Sequence, residues 1–353
     1  MKRVLIVGPS PTKSKGGMAT VIEEINNDPE LRKKYDIDIF ESYIDGSKIK
    51  VLLYSLYAFA KFVLKKKDYD IYHIHAASRG STFRKGWYVK FLKKRGLRVI
   101  LHIHGAEYMK FFDELTENKK KKVIDILKSA DMVLALSNDW KSKFDLTFGL
   151  TNCFVLENGI NQERLKDAQH DDLTIYQCSF VALGRLGERK GTYDIIKAVS
   201  MLKDRFPEVK CYLAGDGEIE IAKKLVHEYG VEKNVKIVGW ADFEMKLSLL
   251  KKVDTVLLPS YNEGLPMSVL EGMACGKAII STFVGAIPEV VGAENGILIT
   301  PGDISALTSA MEKCCVDIEM IKKFSYNNIC KIEKDFSTVK MHSVLSTYYE
   351  ALN

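Results

Sequence analysis

Two series of short, β-branched apolar runs fill most of the chain, and a longer segment of helical period follows most of them. Such runs read as buried strands, and their alternation with helices predicts doubly wound parallel sheets. The first series opens at Val4–Val7, continues through Ile71–His75, Val99–Gly105 and Met132–Leu136, and closes at Cys153–Leu156. The second begins at Ser179–Leu183 and passes through Lys210–Ala214, Val235–Val238, Val253–Leu258 and Ala278–Ser281 to Gly296–Ile299. Between them lies the polar stretch Asn161–Asp172, ending in Asp171-Asp172, which is the expected linker. The pattern predicts an α/β protein with domains at 1–165 and 166–335. A chain of 353 residues is long enough to give each its own core.

The loops after the strands carry the candidate chemistry. Pro259 ends the run Val253–Leu258, and Tyr261-Asn262-Glu263-Gly264-Leu265-Pro266 then leads to a helix, with Pro266 in its first turn, running to about Cys275. The free N–H groups of a helix start favour an anion, above all a phosphate. Glu263 stands before that helix and Glu271 inside it. Carboxylates beside a phosphate cradle suit a ligand that also offers hydroxyls, which points to a sugar nucleotide; a Glu pair on a solvated helix face is the plainer reading. In the loop after Ser179–Leu183, Gly184-Arg185 and Lys190-Gly191 place a planar fork and a movable point charge together, a pair able to hold a diphosphate. Gly16-Gly17 precedes a helix from about Met18 to Ile25, and a Gly pair there allows close backbone approach to phosphate, or forms a mere hinge. The dinucleotide fingerprint G-x-G-x-x-G is absent: at Gly215-Asp216-Gly217, Glu220 occupies the third position, which counts against an oxidoreductase.

Two strands carry H-x-H, at His73 and His75 and at His102 and His104. Alternation puts each pair on one face, where it could bind a metal. Carboxylate or Cys partners at ligand spacing are missing, so no metal is expected. His75 reads as a satisfied core histidine more readily than as a ligand contact. Two D-x-D matches, Asp36-Ile37-Asp38 and Asp68-Tyr69-Asp70, fall where strands begin, opposite the ligand-binding edge of a parallel sheet.

Seven cysteines without a C-x-x-C pair argue against a disulfide framework, and no apolar run spans a membrane. A cytoplasmic setting is expected. Charge divides unevenly: residues 1–165 hold 30 Lys and Arg against 20 Asp and Glu, whereas the rest hold 22 against 26. The basic half is the one expected to meet an anionic partner. Within it, Ile49–Leu64 is apolar and aromatic, with Lys48 and Lys50 at one end and Lys65-Lys66-Lys67 at the other. It reads as a helix packed on the sheet, or as one lying at an anionic membrane surface.

Glu263 and Glu271 with Gly264 and Pro266 between them, the run Gly184-Arg185 to Lys190-Gly191, and Gly215-x-Gly217 together resemble the retaining GT-B glycosyltransferases of family 4. The resemblance covers nearly the whole chain and is most specific between residues 179 and 302. It implies two Rossmann-like domains facing a deep cleft, with a C-terminal helix, 336–353, crossing back to the first. It implies a hexosyltransferase using a nucleotide sugar, by default a UDP-sugar, and an acceptor such as a lipid-linked glycan of surface polysaccharide synthesis. His104, Glu263, Arg185 and Lys190 would be catalytic. Gly17, Gly215, Gly217, Gly264, Leu265, Pro266 and Glu271 would hold the donor, with Glu271 on the ribose. No metal, cofactor or nucleic acid is called for. A GT-B sugar-nucleotide epimerase and a non-catalytic sugar-nucleotide-binding partner are the alternatives.

Overall fold

The structure is a computed structural model. It describes residues 1–11, 14, 16–65, 68–169 and 178–352; Lys66, Lys67 and the last residues of the expected linker, 170–172, lie outside the described residues. The chain divides into two compact units, Met1–Gly159 with Thr338–Asn353, and Ile160–Ser337.

The first unit holds six strands: β1 (Lys2–Pro9), β2 (Tyr35–Tyr43), β3 (Ile71–Ala76), β4 (Arg98–Ile103), β5 (Met132–Ala135) and β6 (Cys153–Val155). Their order is β2-β1-β3-β4-β5-β6 and every pairing is parallel. The order reverses between β1 and β3, and the crevice beyond the C-terminal strand ends there is where such sheets bind ligands. Val4 to Val7 are all fully buried, as a continuous apolar run covered by helices on both faces requires.

The second unit holds β7 (Ser179–Leu183), β8 (Lys210–Ala214), β9 (Val235–Gly239), β10 (Thr255–Leu258), β11 (Ala278–Thr282) and β12 (Gly296–Ile299). Their order is β12-β11-β10-β7-β8-β9, again all parallel. Here the order reverses between β7 and β10. Phe180, Leu213 and Ile280 from the sheet join Ile195, Val199 and Met311 from the helices Thr192–Leu202 and Ile304–Val316 in its core.

The helix Thr338–Ala351 belongs to the first unit, as the resemblance implies. Tyr348 donates to the Val155 carbonyl at 2.6 Å, Tyr35 to the Ser346 carbonyl at 3.2 Å, and Lys2 to the Tyr349 carbonyl at 3.2 Å.

Two expectations need correction. The described part of the supposed linker is packed into the second unit. Ile160 N–H donates to the Phe336 carbonyl at 2.7 Å, and the 3-10 turn Glu163–Ala168 buries Leu165 and Ala168. Gln162 and Gln169 donate to the carbonyls of Ile329 and Ala274 at 3.1 and 2.9 Å. Polar side chains that satisfy backbone carbonyls elsewhere look like linker residues in the sequence. Secondly, Cys178 and Cys315 form a disulfide; 137 residues apart, they meet only because the helix Ile304–Val316 packs beside the start of β7.

Candidate active site

Adjacent strands bring the two charged loops of the second unit together. β7 and β10 pair across the switch point, so the loops leaving their C-terminal ends are neighbours. The Tyr261 N–H donates to the Arg189 carbonyl at 2.9 Å, fastening one loop to the other. Across this seam Lys190 Nζ donates to Glu263 Oε1 at 2.6 Å. Arg189 lies 3.9 Å from the same oxygen and donates to the Asn262 carbonyl at 2.9 Å. The Glu263 side chain is 7% exposed and that of Lys190 18%, so the pair is largely withdrawn from water and each charge needs the other.

The helix Met267–Ala274 starts one residue later than the sequence pattern suggests. Pro266, with φ −74 and ψ 124, is its cap rather than part of its first turn. No side chain caps its amides. Glu271, in the second turn, is buried and ion-paired with Lys246 of the helix Phe243–Leu250. The sequence pattern does not single out Lys246: only the ion pair between these two helices in the fold identifies it. Gly264 accepts a hydrogen bond from Ala286 N–H at 2.9 Å, and the Leu265 side chain is buried, so it serves packing.

The Gly184–Gly187 loop is laced to the loop after β8. Leu186 N–H donates to the Asp216 carbonyl at 2.6 Å and Glu218 N–H to the Leu186 carbonyl at 3.0 Å. A Cβ on Gly215 would overlap the Gly184 carbonyl, and Gly217 has φ +109, a conformation L side chains rarely adopt. Gly215→Ala is expected to destabilise the second unit by about 1–3 kcal/mol, read from urea denaturation. Arg185 projects from this loop and is exposed.

In the first unit, Gly17 begins the helix Gly17–Asn27, with Gly16 as its cap; both are exposed and no side chain caps the amides. Residues 12, 13 and 15 of this loop lie outside the described residues. His104 follows β4 and is partly buried. Its Nε2 lies 2.9 Å from Nδ1 of fully buried His75, and burial pushes its pKa down to about 3. His75 is a core residue, yet its Nε2 has no partner among the described residues. Lys85 is also buried; it donates to the Ser42 hydroxyl, and burial lowers its pKa to about 7. The sequence pattern gives no sign of it. The D-x-D carboxylates make structural bonds: Asp38 accepts from the Tyr69 hydroxyl at 2.6 Å, Asp70 from Arg3 N–H at 2.6 Å, and Asp68 pairs with Arg95 at 3.3 Å.

The family model of the glycosyl transferases group 1 matches residues 169–329, and that of glycosyltransferase family 4 matches residues 20–164. The chain belongs to the family 4, group 1 glycosyltransferases. This glycosyltransferase is 26% identical to an uncharacterized glycosyltransferase of Methanocaldococcus jannaschii, over 96% of its own length and 95% of that protein's. It is also 26% identical to the UDP-Gal:alpha-D-GlcNAc-diphosphoundecaprenol alpha-1,3-galactosyltransferase of Escherichia coli, covering 87% of this chain and 80% of that one. Anabaena HepE, solved in complex with UDP-glucose, has the same fold: TM-score 0.80 at 18% identity, over 99% of this chain and 100% of that one. The fold is GT-B, with two parallel six-stranded sheets.

Proposed function

We propose that this glycosyltransferase moves a hexosyl group from a UDP-sugar to an acceptor hydroxyl with retention of anomeric configuration. One observation carries the reading: the Lys190–Glu263 and Lys246–Glu271 pairs flank the uncapped start of the helix Met267–Ala274 at the switch point of the second sheet. A diphosphate entering there takes Lys190 from Glu263, and Arg185 and the helix amides add to the positive field. Glu263, once released, accepts hydrogen bonds from the sugar, and Glu271 holds the ribose hydroxyls. Gly264 to Pro266 bring their backbone to the sugar and β-phosphate, while Gly215 and Gly217 shape the floor of the site. The UDP-glucose complex of HepE and the UDP-Gal donor named for the E. coli relative support the choice of nucleotide.

In the transfer step the bond from C1 to the leaving phosphate oxygen breaks while the acceptor oxygen bonds to C1 on the same face. The acceptor's proton passes to the departing phosphate, so UDP itself serves as base. In the first unit, Gly17 and His104 are the candidate contacts in this reading. Positive side chains supply what a divalent metal does in other sugar-nucleotide enzymes, so donor binding is metal-independent. Isothermal titration with UDP before and after chelation tests this: equal affinities support it, and loss of binding on chelation removes it.

The acceptor in this reading is a lipid-linked diphosphate glycan, the chemistry named for the E. coli relative, and we place it at a membrane surface. The helix Lys48–Val63 supports it. Ser55, Ala58 and Phe62 form its buried face. Its other face exposes Ile49, Leu52, Leu53, Leu56 and Tyr57 at helical spacing. The helix contains no acidic residue, and Lys48, Lys50 and Lys61 border the stripe. Lysines near an anionic surface add up to about 1 kcal/mol each, and an apolar face can enter the headgroup region. Among the described residues, no helix is long and apolar enough to cross a membrane. The protein is expected to sediment with phosphatidylglycerol vesicles at low salt, and Leu53→Glu with Tyr57→Glu to abolish this. If the wild-type protein remains in the supernatant, the membrane assignment fails.

A further inference from the structure

Four histidines converge on one face of the first unit's sheet, and the transfer chemistry uses only one of them. β3 and β4 are adjacent and parallel, with His75 opposite His102. Alternation therefore turns His73, His75, His102 and His104 to the same side. Neighbouring rings stack or tilt at centroid distances between 4.0 and 5.4 Å. His73, His75 and His102 are fully buried. Burial holds all four rings neutral, with pKa values well below the usual histidine range.

A neutral imidazole has one donor and one acceptor nitrogen. Nδ1 of His73 meets the Tyr349 hydroxyl at 2.8 Å, and Nδ1 of His75 meets His104 Nε2 at 2.9 Å. His73 Nε2, His75 Nε2 and both nitrogens of His102 have no hydrogen-bond partner among the described residues. Buried polar atoms are ordinarily paired, so unpaired nitrogens gathered at one place call for an occupant. Ligand-capable nitrogens of these three residues lie within 4.8 Å of one another. A tetrahedral ion with metal–nitrogen bonds of about 2.0–2.1 Å needs its ligand nitrogens about 3.3 Å apart, so the rings must turn inward to close on it.

We propose that His73, His75 and His102 form a three-imidazole site for a late first-row divalent ion of the Zn2+ type. The all-nitrogen donor set disfavours Mg2+, Mn2+ and Ca2+, which prefer oxygen. The sequence pattern argues against a metal because carboxylate and Cys partners are missing, but three imidazoles on two paired strands need neither. The ion takes no part in bond making at the donor. Its effect is on hydrogen bonding: metal on Nε2 of His73 puts that ring's proton on Nδ1, where it is donated to Tyr349. Metal on Nε2 of His75 likewise makes Nδ1 a donor to His104 Nε2. His104 must then carry its own proton on Nδ1, so the ion fixes the tautomer and orientation of that side chain.

The test is a Co2+ titration of tag-free, chelator-stripped, full-length protein, followed by visible absorption. One Co2+ per chain is expected, with the d–d band of a low-coordinate nitrogen site, no thiolate charge-transfer band, and stoichiometric displacement by Zn2+. Tyr349→Phe keeps the ring and removes the hydroxyl beside His73, and is expected to weaken binding about 10–100-fold. His102→Gln is expected to abolish the band. If His102→Gln fails to fold, the wild-type titration and Tyr349→Phe decide alone. No band in the wild-type protein, a band that survives His102→Gln, or unchanged affinity in Tyr349→Phe overturns the proposal.

Discussion

Lys190→Ala is expected to lower kcat/KM for sugar transfer by about 10²–10³, the usual consequence of removing one preorganised group that meets developing charge on a leaving group. The side chain is anchored at the seam between two loops, 2.6 Å from Glu263, so its position is set before any ligand arrives. Removal also leaves Glu263 largely buried, with Arg189 at 3.9 Å as its remaining named cation. A stability change alone would follow if the pair were only structural. Initial-rate kinetics on the single and double variants of Lys190 and Glu263 separate these effects. If Lys190 binds the diphosphate, its loss lowers turnover even where Glu263→Gln has already removed the ion pair. Unchanged turnover in Lys190→Ala would remove Lys190 from the chemistry.

Glu271→Gln is expected to weaken UDP binding about 10–100-fold, since hydrogen bonds to a charged group contribute about 1.5–3 kcal/mol. The substitution keeps the shape and removes the charge. It also leaves Lys246, whose side chain is 23% exposed, without its ion-pair partner. Titration with 2′-deoxy-UDP assigns the loss. In the wild-type protein, deletion of the hydroxyl is expected to cost most of the same factor; in Glu271→Gln it should cost little. An equal penalty in both proteins would place the ribose elsewhere and leave Glu271 as the anchor of Lys246.

These two residues illustrate what the sequence makes legible. Glu263, Arg185 and Lys190 sit in short segments directly after β-branched runs and Glu271 in the helix that follows one of them, so their chemistry is local to those segments. The Gly215-x-Gly217 pattern is visible too, although its physical reason, the Gly184 carbonyl lying against Gly215, appears only in the fold. The partners stay hidden because they come from distant segments. Lys246 reaches Glu271 from another helix, and Cys178 meets Cys315 across 137 residues. Gln162 and Gln169 read as linker residues until their carbonyl partners are in view. The histidine cluster lies between these cases. Each H-x-H is plain in the chain, but that β3 and β4 set His75 beside His102 depends on the sheet order, which no local pattern encodes.

The central claim is that a nucleotide sugar occupies the switch point of the second sheet. Hydrogen–deuterium exchange of the full-length protein with and without saturating UDP-glucose tests it most directly. Slowed exchange is expected in peptides spanning residues 184–192 and 260–272, and it should vanish in Lys190→Ala at the same ligand concentration. Protection confined to the first unit, or none in either loop while UDP-glucose is demonstrably bound, would contradict it.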